Sequence, residues 1–296
     1  MKKEGIILKG IDGFYYVEAV DEVYECKARG VFRKNGVTPL AGDRVIIDVG
    51  NANAENTIDE ILKRKNYLKR PPVANLDKLF IVLSTCQPQP NLLLADRLTV
   101  CAEHKEIEPI FVITKNDLAN GEKIAQIYKK VGYKTIAASG VDNESIDIIR
   151  SELYGSISVF TGNSGVGKST LLNAIDEKWS LQTDKISEKL GRGKHTTRHV
   201  ELLKVSMGYV ADTPGFSSLE ADLQRDDFIS AQELQYCFRE FSEHIGRCKF
   251  SSCTHISEKG CAVIEAVNEG LIPISRHNSY RALFNEVKDI RDWQLK

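Results

Sequence analysis

Gly162-Asn163-Ser164-Gly165-Val166-Gly167-Lys168-Ser169 is the stretch that decides the fold. It matches G-x-x-x-x-G-K-[ST] in full. Before it stands an apolar run, Ser156-Ile157-Ser158-Val159-Phe160-Thr161, and a segment of helical character follows from Lys168 to Ala174. Strand, glycine-rich turn and helix in that order are the context in which this motif binds phosphate. Glycines let successive backbone N–H groups turn inward around phosphate oxygens. Lys168 neutralises the outer phosphates, the Ser169 hydroxyl is placed for Mg²⁺ with Thr170 beside it, and the helix N-terminus adds a positive dipole end.

Two further motifs end strands on either side of this loop. Downstream, Gly208-Tyr209-Val210-Ala211 runs into Asp212-Thr213-Pro214-Gly215. An Asp at such a strand tip holds Mg²⁺ through water, and the Gly215 N–H can meet a γ-phosphate. Upstream, Pro109-Ile110-Phe111-Val112-Ile113 runs into Thr114-Lys115-Asn116-Asp117. A carboxylate at Asp117 accepts two parallel hydrogen bonds from guanine N1–H and N2–H. Adenine has no such donor pair and would leave the carboxylate desolvated and unpaired. The Lys115 stem can lie over the base face, and Ser139, at the tip of the next strand, can cover the base edge with its backbone N–H. The usual first residue of such a motif is Asn, so Thr114 puts part of the loop bracing in question. In an ordinary GTPase the base-reading motif follows both phosphate motifs, whereas here it precedes them. The parts of a GTP/GDP site are present in rotated order, as in a circularly permuted GTPase.

Between the phosphate loop and Asp212 lies Gly191-Arg192-Gly193-Lys194-His195-Thr196-Thr197-Arg198-His199. That is the place of a first switch, where Thr196 or Thr197 could ligate Mg²⁺ in the GTP state. The residue after Asp212-x-x-Gly215 is Phe216, where many GTPases have the Gln that orients the attacking water. Phe cannot do this, and His195 is the candidate catalytic residue beside Lys168.

Cys248-x4-Cys253-x-His255-x5-Cys261 brings three thiols and one imidazole within fourteen positions. This is a closed tetrahedral donor set for structural Zn²⁺. Of seven cysteines in the chain the other four are scattered, a pattern that favours metal binding over disulfides.

Around these motifs the chain reads as three domains. Residues 1–68 carry short β-branched or aromatic strands (Ile6–Leu8, Phe14–Ala19, Val23–Ala28, Arg44–Val49) punctuated by glycines, the signature of a small barrel. Asn51 to Asn56 reads as a polar loop. Lys63-Arg64-Lys65, Lys69-Arg70 and Pro71-Pro72 read as a basic, stiff linker. Residues 69–222 alternate strands and helices, which means a parallel sheet with helices on both faces. Residues 223–296 turn helical, with helical spacing from Phe228 to Phe241 and an amphipathic helix from Ser279 to Gln294.

The 296 residues are 42% hydrophobic and 27% charged, with formal net charge −1. A polybasic nucleic-acid binder is therefore excluded, and any such surface is a local patch. No apolar run approaches the roughly 18 residues of a membrane span and no signal peptide is visible, so the cytoplasm is the expected location; a monomer is expected as well.

Taken together, these residues resemble the RsgA family, circularly permuted GTPases that depend on the small ribosomal subunit. The resemblance is carried by Arg70-Pro71-Pro72-Val73-Ala74-Asn75-Leu76-Asp77, Gly191 to Thr197, Asp212 to Phe216 and Cys248 to Val263. Thr114 and Arg198 depart from the family pattern. The resemblance implies an N-terminal OB-fold, a permuted GTPase domain and a zinc-binding C-terminal domain. It also implies GTP hydrolysis stimulated by the 30S subunit, contact with 16S rRNA, and a role in late small-subunit maturation. The alternative is a nucleotide-gated RNA-binding module with negligible hydrolysis, kept open by Phe216. An ATPase is disfavoured by Asp117.

Overall fold

The computed structural model describes residues 1–20, 22–34, 36–50, 55–69, 71–138, 142–176, 200–205, 207–212 and 229–289. The strands are β1 Lys2–Ile11, β2 Phe14–Ala19, β3 Glu22–Ala28, β4 Arg44–Asp48, β5 Asn56–Ile61, β6 Tyr67–Lys69, β7 Pro72–Ala74, β8 Lys78–Ser84, β9 Glu108–Thr114, β10 Lys134–Ala137, β11 Ile157–Thr161, β12 Glu201–Val205 and β13 Gly208–Asp212. The helices are α1 Gly30–Lys34, α2 Leu92–His104, α3 Glu122–Lys130, α4 Asn143–Leu153, α5 Lys168–Ile175, α6 Ala231–Leu234, α7 Ala262–Asn268 and α8 Ile274–Val287. They divide between two compact units. One holds Met1–Lys78, Arg150–Phe160 and the described part of 200–212; the other holds Leu79–Ile149, 161–176 and 229–289.

In the first unit β1 pairs with both β2 and β4, and the ring closes through β3 and β5 in the order β1-β2-β3-β5-β4. This is a five-stranded barrel. Ten residues let β1 serve two neighbours, and the register shift between Ile7 and Lys9 bends it. At Gly5 a Cβ would come within 2.5 Å of the Glu18 carbonyl, so the close crossing there requires glycine. Inward residues alternate along the strands, and Ile7, Val17, Ala19, Cys26, Val45, Ile47 and Ile58 form the interior.

The fifth strand, β5, was not legible as one. It takes Asn56 from the expected polar loop, and its two Ile stand three positions apart among four polar residues, a spacing without strand alternation that the register shift opposite Ile46 and Ile47 accommodates. The expected linker is also folded. β6 and β7 form an antiparallel hairpin with Pro72 at a strand start, where a missing N–H costs no ladder bond. Arg64 grips buried Asp43 with two hydrogen bonds, of 2.7 and 2.8 Å, and donates to the Thr38 carbonyl. Asn66 exchanges two hydrogen bonds with the Leu76 backbone. Arg64, and Lys65 through its 3.1 Å bond to Asp77, are thus part of the internal structure, not free charge.

β13 lies parallel to β11 and antiparallel to β12, and β12 in turn meets β1 at Glu201 opposite Lys9. The reversed β12 departs from the purely parallel sheet expected.

In the second unit β10, β9 and β8 lie side by side, β10 parallel to β9. Leu79–Ser84 and Pro109–Thr114 are continuously buried, as strands covered on both faces are. α2 starts where Asn91 caps it, its side chain accepting from the Leu94 N–H at 3.0 Å.

The C-terminal part corrects two expectations. The helical spacing from Phe228 breaks up into α6 and two 3₁₀ turns, Gln235–Cys237 and Arg239–Phe241, with extended Phe238 between them. The break turns Phe238 and Phe241 inward against Tyr280, so aromatic packing overrides local spacing. The last helix begins at Ile274, not Ser279. Its first turns bury polar Arg276, His277 and Ser279, which hides the amphipathic signal.

Arg276 is fully buried. It donates to Asp96 of α2 at 2.7 Å and to Glu240 at 2.7 and 3.2 Å, with its guanidinium 4.6 Å from the Phe238 ring centre. Arg97 adds a bidentate pair to Glu286 of α8, both bonds 2.6 Å. Removing one partner of such a cluster strands the buried charge on the others. Arg276→Met is expected to lower unfolding free energy by about 3–5 kcal/mol, read by guanidinium denaturation; an unchanged midpoint would contradict this account.

Candidate functional site

β11 delivers the chain into the phosphate loop, where Gly162, Gly165 and Gly167 have φ of 150°, 78° and 97°. These are conformations that side chains other than glycine's rarely adopt. At Gly162 a Cβ would also collide with the Val82 carbonyl. Gly167 precedes α5 and, having no side chain, supplies no side-chain cap to it. Lys168 arches over its own loop, donating to the carbonyls of Gly162 at 2.6 Å and Asn163 at 2.8 Å. The loop thus combines three left-handed glycines with the Lys168 ammonium held over its first two carbonyls, the backbone path and the cation that a phosphate cradle uses. Ser164 and Thr170 are exposed, Ser169 half-buried.

The base-reading motif ends β9. Thr114 is buried, and its hydroxyl lies 2.6 Å from the Val166 carbonyl and 3.2 Å from that of Leu83. The bracing that Asn would supply is thus made by a hydroxyl, which ties this loop to the phosphate loop. Asn116 does the rest. Its amide donates to Ile113 at 2.6 Å and Ala138 at 3.1 Å, and its carbonyl accepts from the Gly121 N–H at 3.1 Å. Gly121 has no room for a Cβ, which would lie 2.5 Å from Asn116 Oδ1. Thr85 donates to the Lys115 carbonyl at 2.7 Å, and Lys115 reaches the Gln87 carbonyl with its ammonium. Held by these bonds, Asp117 stands exposed. Thr85 escaped sequence reading because it is 30 positions from its partner.

Asp212 ends β13, its backbone opposite Glu201. Its side chain, together with Ser139, His195, Thr196, Thr197, Gly215 and Phe216, lies outside the described residues.

The third group is the Cys248, Cys253, His255 and Cys261 cluster, whose ligand atoms all lie within 4.8 Å of one another. His255 Nδ1 is 3.5 Å from Cys248 Sγ and 3.4 Å from Cys261 Sγ, and those two sulfurs are 3.9 Å apart. A tetrahedral Zn²⁺ with Zn–N about 2.05 Å and Zn–S about 2.3 Å sets N···S at about 3.6 Å and S···S at about 3.8 Å. Three of the six edges have the lengths of that tetrahedron, and Cys253 Sγ lies within 4.8 Å of the other three donors. Burial pushes the Cys253 thiol up to about 12 and holds His255 below its ordinary value. Neutral imidazole is the metal-binding form, and packed thiols ionise when a cation joins them. Glu258 stitches the intervening loop, accepting from the N–H groups of Thr254, Ile256 and Ser257 at 2.8–3.0 Å. Burial opposes its charge, but these donors outweigh it and bring the carboxyl down to about 2.

A glycine-ringed phosphate cradle tied to a guanine-type loop that precedes it in the chain defines a P-loop GTPase of permuted order. Comparison with known proteins makes the class particular. Residues 61–222 match the RsgA GTPase family and residues 4–56 the RsgA N-terminal domain. The small ribosomal subunit biogenesis GTPase RsgA of Geobacillus thermodenitrificans is 47% identical over 292 residues, covering 97% of this chain and 98% of that one. Its counterpart in Caldanaerobacter subterraneus subsp. tengcongensis is 46% identical over 290 residues, covering 97% and 96%. The crystal structure of YloQ, a circularly permuted GTPase, matches with a TM-score of 0.80 at 39% identity, covering 98% of this chain and 96% of that one. That of YjeQ from Thermotoga maritima gives 0.82 at 34%, covering 98% and 100%. The chain belongs to the RsgA family and is a GTPase.

If Thr114 ties the two loops, Thr114→Val should leave the Val166 carbonyl without its donor and weaken GDP binding about tenfold, while Thr114→Ser stays near wild type. Titration with a fluorescent GDP analogue decides between this and equal affinity in all three.

Proposed function

We propose that the chain is a GTP hydrolase acting on the small ribosomal subunit. Asp117 reads the guanine edge, Lys115 covers the base, and Ser139 closes its rim. The loop from Gly162 to Ser169, with Thr170, cradles the phosphates of GTP and GDP. Ser169, Asp212 and one of Thr196 and Thr197 hold Mg²⁺, and Gly215 meets the γ-phosphate. Cys248, Cys253, His255 and Cys261 hold a structural Zn²⁺. The domains divide at 1–68, 69–222 and 223–296. The observation that carries the nucleotide reading is the Thr114–Val166 hydrogen bond, which sets a base-reading and a phosphate-reading loop in one frame.

The ribosomal reading is supported by the relatives, which are small ribosomal subunit biogenesis GTPases. On it, the chain works as a cytoplasmic monomer on the 30S subunit late in its maturation, contacts 16S rRNA, and hydrolyses GTP faster when bound. Among the described residues no helix is long and apolar enough to cross a membrane. Because Phe216 cannot orient water, intrinsic turnover is slow, and His195 takes that role once rRNA phosphates engage Arg192, Lys194 and Arg198.

Two outcomes are expected. Asp117→Asn exchanges an acceptor for a donor at the base edge, so it should weaken GTP and admit xanthosine nucleotides in competition binding; normal GTP affinity would refute the base reading. His195→Ala should keep GTP and GDP affinity yet lose most of the turnover that 30S subunits stimulate, in a steady-state phosphate-release assay. Stimulation should also fall steeply with salt. A wild-type chain that 30S fails to stimulate would instead favour a nucleotide-gated RNA-binding module.

A further inference from the structure

His255 has two ring nitrogens, and Nδ1 is the one that faces the thiols, 3.4 and 3.5 Å from Cys261 and Cys248. A metal needs the lone pair on that atom, so the ring proton has to sit on Nε2. Gln235 decides this. Its Oε1 lies 2.9 Å from His255 Nε2. Which end of the carboxamide faces the ring is fixed by a third group, because Gln235 Nε2 donates to the Gln232 carbonyl at 2.9 Å. A carbonyl only accepts, so the amide's donor end is committed there and its acceptor end faces the ring. An acceptor facing Nε2 requires the proton on Nε2. The order of bonds from Gln232 to Gln235 to His255 leaves the Nδ1 lone pair aimed at the thiols.

We propose that Gln235 is a positioning residue for the metal of this centre. It holds His255 in one tautomer and one orientation, and it ties the turn Gln235–Cys237 to the centre. The proposal rests on the zinc reading of the cluster. His255 is only 2% exposed, so water cannot easily replace the Gln235 acceptor. The backbone of His255 is held independently, its carbonyl accepting from His277 Nε2 at 2.7 Å. The ring is therefore the freedom left to fix, and Gln235 is the group that fixes it. The same side chain reaches back to α6, whose first turn is closed by the reciprocal Ser230–Glu233 capping box. Metal binding through Gln235 then orders the first turns of the C-terminal helices, not only the cysteine loop.

The test uses the full chain. Zinc affinity is measured by competition with a chromophoric chelator, and Co²⁺ substitution reports ligand geometry through its d–d and thiolate charge-transfer bands. Gln235→Leu keeps the bulk and removes the acceptor, and it should weaken zinc 10- to 100-fold and alter the cobalt spectrum. Gln235→Glu keeps an acceptor and should retain wild-type affinity. Nitrogen NMR of the wild-type chain should find the Nε2–H tautomer at His255. Should circular dichroism show Gln235→Leu unfolded, the more adaptable Gln235→Met takes its place. Wild-type affinity and cobalt bands in the apolar variant would overturn the proposal, as would an equal loss in Gln235→Glu, which would point to shape instead of hydrogen bonding. A wild-type chain that takes up neither metal would fail earlier, at the zinc reading, and the proposal would fall with it.

Discussion

One hydroxyl ties together the two loops from which the proposed nucleotide site is built. Thr114 and Val166 are 52 positions apart, and the segment between them crosses two helices and two strands. In a permuted order nothing covalent and short holds the base-reading loop at the right distance from the phosphate loop. A nucleoside diphosphate has a fixed length, so an error of about an ångström between the loops is costly. A buried 2.6 Å hydrogen bond from a stiff, β-branched side chain resists such an error better than a long flexible one would. Asn116 and Thr85 then hold the shape of the base loop itself. The split of labour explains why Thr serves here as well as Asn: the contact asks only for a donor aimed at a carbonyl.

The second constraint is electrostatic. The C-terminal helices are short, α6 four residues and α7 seven, and too short to be stable on their own. They are fastened at both ends of α8. Arg276 and Glu286 fasten it to α2, while His277 and Tyr280 donate to the carbonyls of His255 and Thr254 in the metal loop. α8 is therefore fixed by polar bonds to α2 and to the loop of the cysteine cluster as well as by its buried Tyr280, Leu283 and Val287. Such bonds are directional, so they specify one arrangement where a greasy contact would tolerate several.

What was legible in the sequence follows the same line. Local rules were enough for the phosphate loop, for the strands β9, β11 and β13 that lead into the motifs, and for the cysteine cluster, because each is written in a contiguous stretch. Elements that depend on distant partners were not. β5 has four polar residues to two Ile with no alternation, and only its pairing with β3 and β4 makes it a strand. The hairpin of β6 and β7 looks like a charged linker until Arg64 is seen to be neutralised by Asp43, 21 positions earlier. The helix expected over Phe228–Phe241 yields to aromatic packing against Tyr280. Gln235 is unreadable as a partner of His255, since nothing in a sequence separates an exposed glutamine from one that sets a tautomer.

The strand that ends at Asp212 gives the barrel its place in this logic. β13 pairs along its length with β12, from Glu201 opposite Asp212 to Val205 opposite Gly208. β12 pairs in turn with β1, where Lys9 also bonds Glu201 at 2.8 Å, and Lys204 and Tyr209 both reach Glu18 of β2. The barrel is therefore continuous, through two strands, with the strand that carries Asp212. Hydrogen-bonded strands slide poorly, because a one-residue slip turns every side chain to the wrong face. A barrel joined in this way behaves as an extension of the β13 frame, not as a module on a loose tether. The barrel is thereby referenced to the backbone of Asp212 by strand pairing, β13 with β12 along their length and β12 with β1 where Glu201 faces Lys9.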